Sequence, residues 1–522
     1  MTNRNAGLFT LALFAIASVV GIGCSNSVGP QSSIPAAGGA PGAPTKHHHR
    51  GRPGAYGNYI SHVFVIIQEN RSLNDLFAGS GISGANTTLM GKEWTSSGPV
   101  NIALTKTDLK VSQDIGHCYV DAATAIDGGA MDRFNWEYSQ VQAPCPAVSA
   151  KPDERTGDYP YSYVNPNDIT SYIDIANNWV LAANFFPTEL GPSFVAHLNL
   201  IASTTEYKHN VAVANYPPSL PWGCDNKQYP AMQWLSPTHT PGPSTGPEPC
   251  YNQFHTMADL LDGQRASGQI ATKVQWRYYA PPYKTGANGY IWSAFDAISR
   301  IRNGSEWTTN VKSPQTQILN DIPNGNLDNV GVVWVVPDCD HSDHAGCAKD
   351  EGPAWVADVV NAIGTRQKLW NSSVIVVLWD DWGGWYDNVA PPSLGFRGLG
   401  IRTPMLILSP YDKQGPGSYA GHVSLRQFES GSILKFIEQV FNLPPLESLP
   451  CDGYGSGYGS GPSSTGCGLG YTDQTDSGTT VNSIGDVLDF SQSPRSFQTI
   501  PSSCSASCIQ SETLPTGPPD DE

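Results

Sequence analysis

The sequence predicts an α/β protein in which a central, mostly parallel sheet is sandwiched between helices. Two observations predict this class: short apolar runs that indicate buried strands, and helical patterns between them. The strand candidates are HVFVII (62–67), VGVVWVV (330–336), SVIVVLW (373–379) and PMLILS (404–409). The helix candidates are residues 167–183, 192–204, 254–266, 353–364 and 424–441. Unbroken apolar runs are typical of strands covered on both faces, and their alternation with helices favours a layered α/β fold.

The composition excludes one class of partner. The 522-residue chain has a net charge of −17, and only 14% of its residues are charged. Nucleic-acid binding needs clustered Lys and Arg, so we expect no nucleic-acid partner. A small substrate that carries phosphate remains compatible with this acidity, because a bound cation inverts the local field.

The N-terminal segment has the features of an export signal. Arg4 precedes the apolar stretch LFTLALFAIASVVGIG, which ends at Cys24 and is short for a membrane span. We expect residues 1–24 to be a signal peptide and residues 25–55 a flexible linker. Two alternatives stay open. A lipoprotein signal would attach the exported protein to the cell envelope through a lipidated Cys24, whereas an ordinary secretory signal would release it.

The cysteines suit an oxidising compartment. Of the eleven, ten remain after Cys24 is set aside, and they lie as close neighbours in sequence. The expected local disulfides join residues 118 and 145, 224 and 250, 339 and 347, 451 and 467, and 504 and 508. Sequence alone does not determine connectivity, so this pairing is a hypothesis.

Three segments look irregular. Residues 209–253 are rich in Pro, Trp and Gly and are predicted to form a disulfide-tied insertion, the kind of segment that often selects substrate. The glycine-rich residues 451–467 lack a preceding strand and a GK[ST] ending, which favours a flexible loop over a phosphate-binding loop. Residues 447–522 as a whole are predicted to be a Gly/Ser-rich C-terminal segment that contains cysteines.

Acidic and amide side chains follow the predicted buried strands. The first strand runs into Glu69 and Asn70, and the third runs into Asp380 and Asp381. Ligands of open α/β sheets bind outside the carboxyl ends of the strands, so we expect these four side chains to share one crevice. Clustered carboxylates repel one another unless a cation neutralises them, which predicts an oxygen-ligand metal site.

Two further segments offer polar groups for chemistry. In LGPSFVAHLNLIAST (190–204), Ser193 is either a common helix N-cap or a hydroxyl nucleophile at a helix N-terminus. In CDHSDHAGC (339–347), a disulfide-closed loop that presents His341 or His344 is favoured over a zinc site. His117 is, by itself, equally compatible with a packing role.

Five motifs, taken in order, resemble those of the bacterial phosphoesterase family that contains non-specific phospholipases C and acid phosphatases, in the alkaline-phosphatase-like superfamily. They are ENRS (69–72), GPSF (191–194), SDHAG (342–346), DDWGGWYDNVAPP (380–392) and RTPMLILSPY (402–411). The resemblance runs from about His62 to Leu446, plus residues 486–497. It implies a catalytic domain over residues 56–446, an alkaline-phosphatase-like sheet and hydrolysis of phosphate esters.

The resemblance also implies a role for each matching residue. The implied ligands of one divalent metal ion, which is Ca, Mg, Mn or Zn, are Glu69, Asn70, Ser193, Asp380 and Asp381. The implied catalytic residues are Ser193 as the nucleophile, with His117 and His344 facing the phosphate. One position departs from the pattern: Asn388 stands where the family often has a histidine.

The leading hypothesis from the sequence is an exported, metal-dependent phosphomonoesterase. A serine at the nucleophile position is the acid-phosphatase pattern within the resemblance. The alternative enzyme is a phospholipase C that acts on phospholipid headgroups. A third alternative, prompted by Asn388, is a degenerate binding protein at the cell surface.

Overall fold

The computed structural model describes residues 54–512, apart from residues 209, 227–230, 243–249, 253–254, 266–267, 283–288, 394–395, 415–420 and 447–481. The described strands are β1 (His62–Gln68), β2 (Met90–Thr95), β3 (Gly98–Ala103), β4 (Thr105–Thr107), β5 (Ser162–Val164), β6 (Val180–Phe185), β7 (Glu206–Lys208), β8 (Val211–Val213), β9 (Trp234–Leu235), β10 (Gln264–Arg265), β11 (Gly268–Gln269), β12 (Trp276–Tyr279), β13 (Val311–Lys312), β14 (Val332–Val335), β15 (Ser373–Trp379), β16 (Thr403–Leu408) and β17 (His422–Ser424).

The described helices range from one turn to four turns. They are α1 (Leu73–Phe77), α2 (Tyr119–Ile126), α3 (Thr170–Asn178), α4 (Ser193–Ala202), α5 (Met257–Leu261), α6 (Ser299–Arg302), α7 (Glu306–Thr309), α8 (Ile318–Asp321), α9 (Gly352–Thr365), α10 (Gln367–Trp370), α11 (Ser430–Phe441) and α12 (Ala506–Ser511). Among the residues described, none of these helices combines the length and the apolar character needed to cross a membrane.

Eight strands form the central sheet, in the order β13-β12-β14-β1-β15-β16-β6-β17. Five of its seven neighbouring pairs are parallel, and both antiparallel pairs involve β16. The α/β class with a mostly parallel sheet is therefore confirmed. The other pairings that the structure describes are small sheets of two or three strands.

The two faces of the sheet carry different helices, because successive side chains of a strand point to opposite faces. Val63 and Val65 of β1 pack in one apolar cluster with α4, α5 and α11. Phe64 and Ile66 pack in another cluster with α1, α3, α8 and α9. Each such buried side chain stabilises the fold by roughly 1.5–3 kcal/mol. Both faces are covered, which explains the unbroken apolar runs.

The structure corrects part of the secondary-structure prediction. The predicted helix 167–183 ends as α3 at Asn178, and Val180 begins β6, which lies between β16 and β17. The segment is apolar on both sides of this boundary, so periodicity alone did not separate a helix from a buried strand. PMLILS is a strand as predicted, but β16 runs antiparallel to both of its neighbours. The predicted helix 254–266 is only α5, and that at 424–441 begins as α11 at Ser430.

The structure forms four of the five predicted disulfides. They join Cys118 to Cys145, Cys224 to Cys250, Cys339 to Cys347 and Cys504 to Cys508. The fifth predicted pair, residues 451 and 467, lies outside the described residues, as do Cys24 and the predicted signal peptide.

Candidate active site

Adjacent parallel strands bring the predicted carboxylates together. β14, β1 and β15 are neighbours, so their carboxyl ends meet at one edge of the sheet. Gln68 at the end of β1 is in register with Trp379 at the end of β15, and the Asp380 N–H donates to the Gln68 carbonyl at 3.1 Å. Glu69 and Asp380 therefore follow side by side, as the sequence predicts.

Ser193 reaches the same edge from the other half of the sheet. β16 is antiparallel to β15 and β6 is antiparallel to β16, so β6 runs in the direction of β15. Residues 186–192 then lead from β6 to α4, which begins at Ser193. The Ser193 hydroxyl donates to Asp381 Oδ2 at 3.0 Å. The N-cap position is Pro192 and no side chain caps this helix, so the N-cap interpretation of Ser193 is wrong.

A tight pair of turns shapes this edge. Asn70 has a left-handed backbone with φ of 47°, a conformation that Asn tolerates better than most residues. Gly383 faces it with φ of 59°, and a Cβ at Gly383 would lie 2.5 Å from the Asn70 carbonyl oxygen. Only glycine at residue 383 lets the two turns pass so closely.

Two predicted histidines point their Nε2 atoms at the Asn70 amide. His117 Nδ1 is 2.7 Å from the Ile115 carbonyl, and His344 Nδ1 is 2.6 Å from the Ala345 carbonyl. A carbonyl only accepts, so Nδ1 carries a proton in both rings and Nε2 is an acceptor when the ring is neutral. The Asn70 NH₂ lies 2.9 Å from His117 Nε2, and it lies 3.3 Å from His344 Nε2.

With the Asn70 NH₂ on the histidines, the amide oxygen faces carboxylates. It lies 2.9 Å from Glu69 Oε2 and 3.3 Å from Asp380 Oδ1. The opposite amide orientation would make its oxygen accept from His117 and His344 and its NH₂ donate to the carboxylates. That orientation needs both imidazoles to be cationic, whereas burial lowers the pKa of His117. Oxygens that converge from Asn70, Glu69 and Asp380 are the arrangement expected around a cation.

The pKa values of the carboxyl groups also favour a bound cation. Burial, followed by repulsion from Asp380, raises the pKa values of both Glu69 and Asp381 well above the ordinary range. Asp380 Oδ2 is buried without a hydrogen-bond partner among the described residues. In the part of the chain that the structure describes, neither Lys nor Arg forms an ion pair with these three carboxylates. The residues therefore fit a divalent cation, which would supply the missing positive charge.

His197 belongs to this site, although the sequence did not single it out. Its Nε2 lies 2.6 Å from Glu69 Oε1, and the ring is buried. Burial lowers the pKa of His197 to about 4, so the ring is neutral. Nδ1 has no hydrogen-bond partner among the described residues, which assigns the proton to Nε2 as the donor to Glu69. The signal in the sequence was its spacing of four from Ser193, which places both on one helix face.

Asp387 and Asn388, which follow in the same motif, have a structural role. Asp387 accepts from buried Arg402 at 3.1 Å and from the Asn74 N–H at 3.0 Å. Asn388 donates to the Asn86 carbonyl at 3.1 Å and accepts from Arg402 at 3.0 Å. These contacts hold the turn after Asp381 and do not involve Ser193 or Glu69.

The chain is similar in sequence to known phosphoesterases. A family model described as the Phosphoesterase family matches residues 60–444. A non-hemolytic phospholipase C from Pseudomonas aeruginosa is 22% identical over 445 residues, which are 75% of this chain and 56% of that protein. Phospholipase C B from Mycobacterium tuberculosis is 22% identical over 436 residues, 74% of each chain. The chain thus spans little more than half the length of the first of these relatives.

Among solved structures, a protein in the alkaline phosphatase superfamily from Vibrio parahaemolyticus is similar to this chain. It is 10% identical, the match covers 76% of this chain and 69% of that one, and the TM-score is 0.31.

Proposed function

The chain belongs to the Phosphoesterase family, and from that premise we propose that it hydrolyses phosphate monoesters with Ser193 as the nucleophile. One observation carries the proposal: the Ser193 hydroxyl donates to Asp381 Oδ2 at 3.0 Å, at the sheet edge where the oxygens of Glu69, Asn70 and Asp380 converge. A serine hydroxyl that donates to a carboxylate, next to oxygens that can bind a cation, is suited to nucleophilic attack on phosphorus.

The chain's own residues account for the bond changes. Ser193 Oγ forms a bond to phosphorus while the bond from phosphorus to the leaving oxygen breaks, and the hydroxyl proton passes to Asp381 Oδ2. The leaving oxygen takes its proton from the substrate itself, which enters as the monoester monoanion, and Nε2 of His344 or His117, an acceptor in the neutral ring, relays that proton. Water then attacks phosphorus and gives a proton to the same Nε2, while the bond from phosphorus to Ser193 Oγ breaks and Oγ takes back the proton from Asp381. Glu69, Asn70, Asp380, Asp381 and Ser193 would hold a divalent cation, which would neutralise charge on the phosphoryl oxygens.

The decisive experiment follows p-nitrophenol release from p-nitrophenyl phosphate by the purified protein. Ser193→Ala is expected to lower kcat by orders of magnitude, because the bond to phosphorus no longer forms. Chelation of divalent ions should abolish the activity of the unaltered protein. Ser171→Ala is the matched control, since Ser171 lies on α3 and its hydroxyl donates to the Pro501 carbonyl rather than to a residue of the site. Hydrolysis that survives Ser193→Ala contradicts the proposal.

Phospholipid cleavage is the second candidate function, because the curated relatives described above are named phospholipases C. Headgroup release from phosphatidylcholine vesicles, measured on the same preparation, separates the two. Hydrolysis of the vesicles that exceeds hydrolysis of the monoester would reverse our preference. Inactivity on both substrates would favour a binding protein.

We also propose that the protein is exported, with residues 1–24 as its signal peptide, residues 25–55 as a linker and residues 56–446 as the catalytic domain. The four disulfides of the described residues support this, because such bonds persist in oxidising compartments. Detergent partitioning of Cys24→Ser against the unaltered protein tests the lipid anchor. If both proteins partition equally between detergent and water, Cys24 is not lipidated and an ordinary secretory signal is favoured.

A further inference from the structure

A second group of metal-ligating side chains, His341, Glu351 and Glu512, shares no residue with the group around Glu69. His341 is buried, and its Nδ1 is 2.7 Å from Asp338 Oδ1. An ionised carboxylate only accepts, so the proton of the neutral ring is on Nδ1 and the Nε2 lone pair is available. Nε2 is buried and has no hydrogen-bond partner among the described residues. A carboxylate that fixes the tautomer of a histidine is the usual companion of a metal-binding imidazole.

Two carboxylates face this lone pair. Glu351 Oε2 lies 3.9 Å from His341 Nε2. One ligand atom from each of His341, Glu351 and Glu512 lies within 4.8 Å of the others. Ligands at about 2.0–2.2 Å from a tetrahedral zinc ion are about 3.3–3.6 Å apart. The three groups thus need to approach by about 1 Å, which glutamate side chains reach by small rotations.

Negative charge exceeds positive charge around His341. The carboxylates of Asp340, Glu351 and Glu512 surround one ammonium group, that of Lys349, while Asp338 contacts His341. Lys349 contacts Glu512 and lies 3.4 Å from Glu351. Its side chain is 38% exposed, so it can swing into solvent, and the partly exposed Glu351 and Glu512 leave a path for an ion and water. A divalent ion that displaces Lys349 would balance the acids better than one ammonium does.

We propose that His341, Glu351 and Glu512 bind a second divalent cation of the zinc class, with Asp338 as the residue that positions the imidazole. One imidazole nitrogen and two carboxylates, completed by water, form a donor set that zinc accepts. The proposal does not depend on the phosphatase activity.

The second ion would stabilise the position of the loop that carries His344. The Cys339–Cys347 disulfide closes this loop, His341 lies near its start, and His344 faces the Asn70 amide. Glu351 immediately precedes α9, and Glu512 follows α12. The ion would therefore tie the loop, α9 and the C-terminal segment together, which is a structural role.

Zinc stoichiometry is the direct test. The full chain and its variants are equilibrated with zinc, and bound zinc is counted by mass spectrometry. Glu512→Gln is expected to lower the count by one, whether or not the candidate active site also holds zinc. Asp380→Asn, which alters the candidate active site, should leave the His341 site filled. Glu154→Gln, an exposed glutamate paired with Lys151, is the matched control. Equal counts for Glu512→Gln and the unaltered chain would overturn the proposal.

Two further variants separate a metal site from a plain ion-pair network with a protonated His341. Asp338→Asn should weaken zinc binding by about 10–100-fold, because the imidazole loses its orienting partner. Lys349→Met should tighten zinc binding, since a competing cation is removed. An ion-pair network predicts no change in zinc affinity for Lys349→Met, and that result would refute the site.

Discussion

His197 binds one of the two carboxylate oxygens of Glu69 and leaves the other for the candidate metal site. It donates to Glu69 Oε1 at 2.6 Å, which leaves Oε2 facing the Asn70 amide oxygen. A residue that holds a ligand in this way changes metal affinity without touching the substrate.

We expect His197→Ala to weaken binding of the catalytic cation by about 10–100-fold. His197→Gln should recover part of the loss, because its NH₂ still donates toward Glu69. Isothermal titration with manganese at pH 7 measures both, with unfolding midpoints of the metal-free variants as a check on the fold. Equal affinity in His197→Ala and the unaltered protein would show that the contact is only structural.

Asn388 is the residue where the sequence raised doubt about activity. Its amide binds the Asn86 carbonyl and Arg402, and it sits on the turn that Arg402 and Asp387 hold.

Asn388→Ala is therefore predicted to keep kcat within about twofold, while the lost hydrogen bonds cost roughly 1 kcal/mol of unfolding free energy. Steady-state hydrolysis of p-nitrophenyl phosphate and urea unfolding give the two values. A tenfold fall in kcat at unchanged stability would mean that this position takes part in the chemistry.

Among single residues, the sequence predicted the acids that follow strands and, through the resemblance, Ser193, whereas it did not predict His197. Glu69 and Asp380 follow apolar runs whose neighbours in the sheet are parallel, so the rule about carboxyl ends located them. Ser193 and His197 lie on a helix whose position depends on β6, a strand hidden in a predicted helix. The N-cap interpretation of Ser193 failed because Pro192 takes the N-cap position, and the Ser193 hydroxyl donates to Asp381 instead.

At the scale of an element, the turn after β15 depends on the absence of a side chain at Gly383. A Cβ there would lie 2.5 Å from the carbonyl oxygen and 2.6 Å from the Cβ of Asn70. Gly157 has a similar φ of 66° but nothing within 4 Å of its Cβ position.

Gly383→Ala should thus displace Asn70 and abolish most of the activity, whereas Gly157→Ala should cost only the conformational penalty of about 1–2 kcal/mol. Urea unfolding and kcat of the two variants test this. Activity that is equal in both variants would show that the close approach at Gly383 has no bearing on the site.

The strands themselves were predicted unequally well. β1, β14, β15 and β16 carry long apolar runs and were recognised, although the antiparallel direction of β16 was not. β6, β12, β13 and β17 were missed. Direction and neighbour order are set by packing across the sheet, and β6 lies between β16 and β17 although it is far from both in sequence. Local patterns therefore gave the class of the fold and left its topology open.

Over the whole molecule, many carboxyl groups are buried, and several have raised pKa values. Glu189 is one that lies outside both proposed metal sites. Burial raises its pKa to about 7, although Arg397 lies 3.8 Å away. Oε2 accepts from Thr205 at 2.6 Å and from Asn199 at 3.2 Å, while Oε1 is buried without a hydrogen-bond partner among the described residues.

The folded protein thus holds a proton on Glu189 that the unfolded chain, with a pKa of about 4.3, releases earlier. Its contribution to stability is complete below about pH 4 and is lost as the pH rises to about 7, at up to about 1.4 kcal/mol per pH unit. Glu189→Gln should flatten this part of the pH dependence, because its amide stays neutral. Urea unfolding at pH 5 and pH 7.5 gives the slope for each protein, and exposed Glu154→Gln serves as control. If Glu189→Gln loses as much stability over this interval as the unaltered protein does, the carboxyl is ionised in the folded state at pH 5.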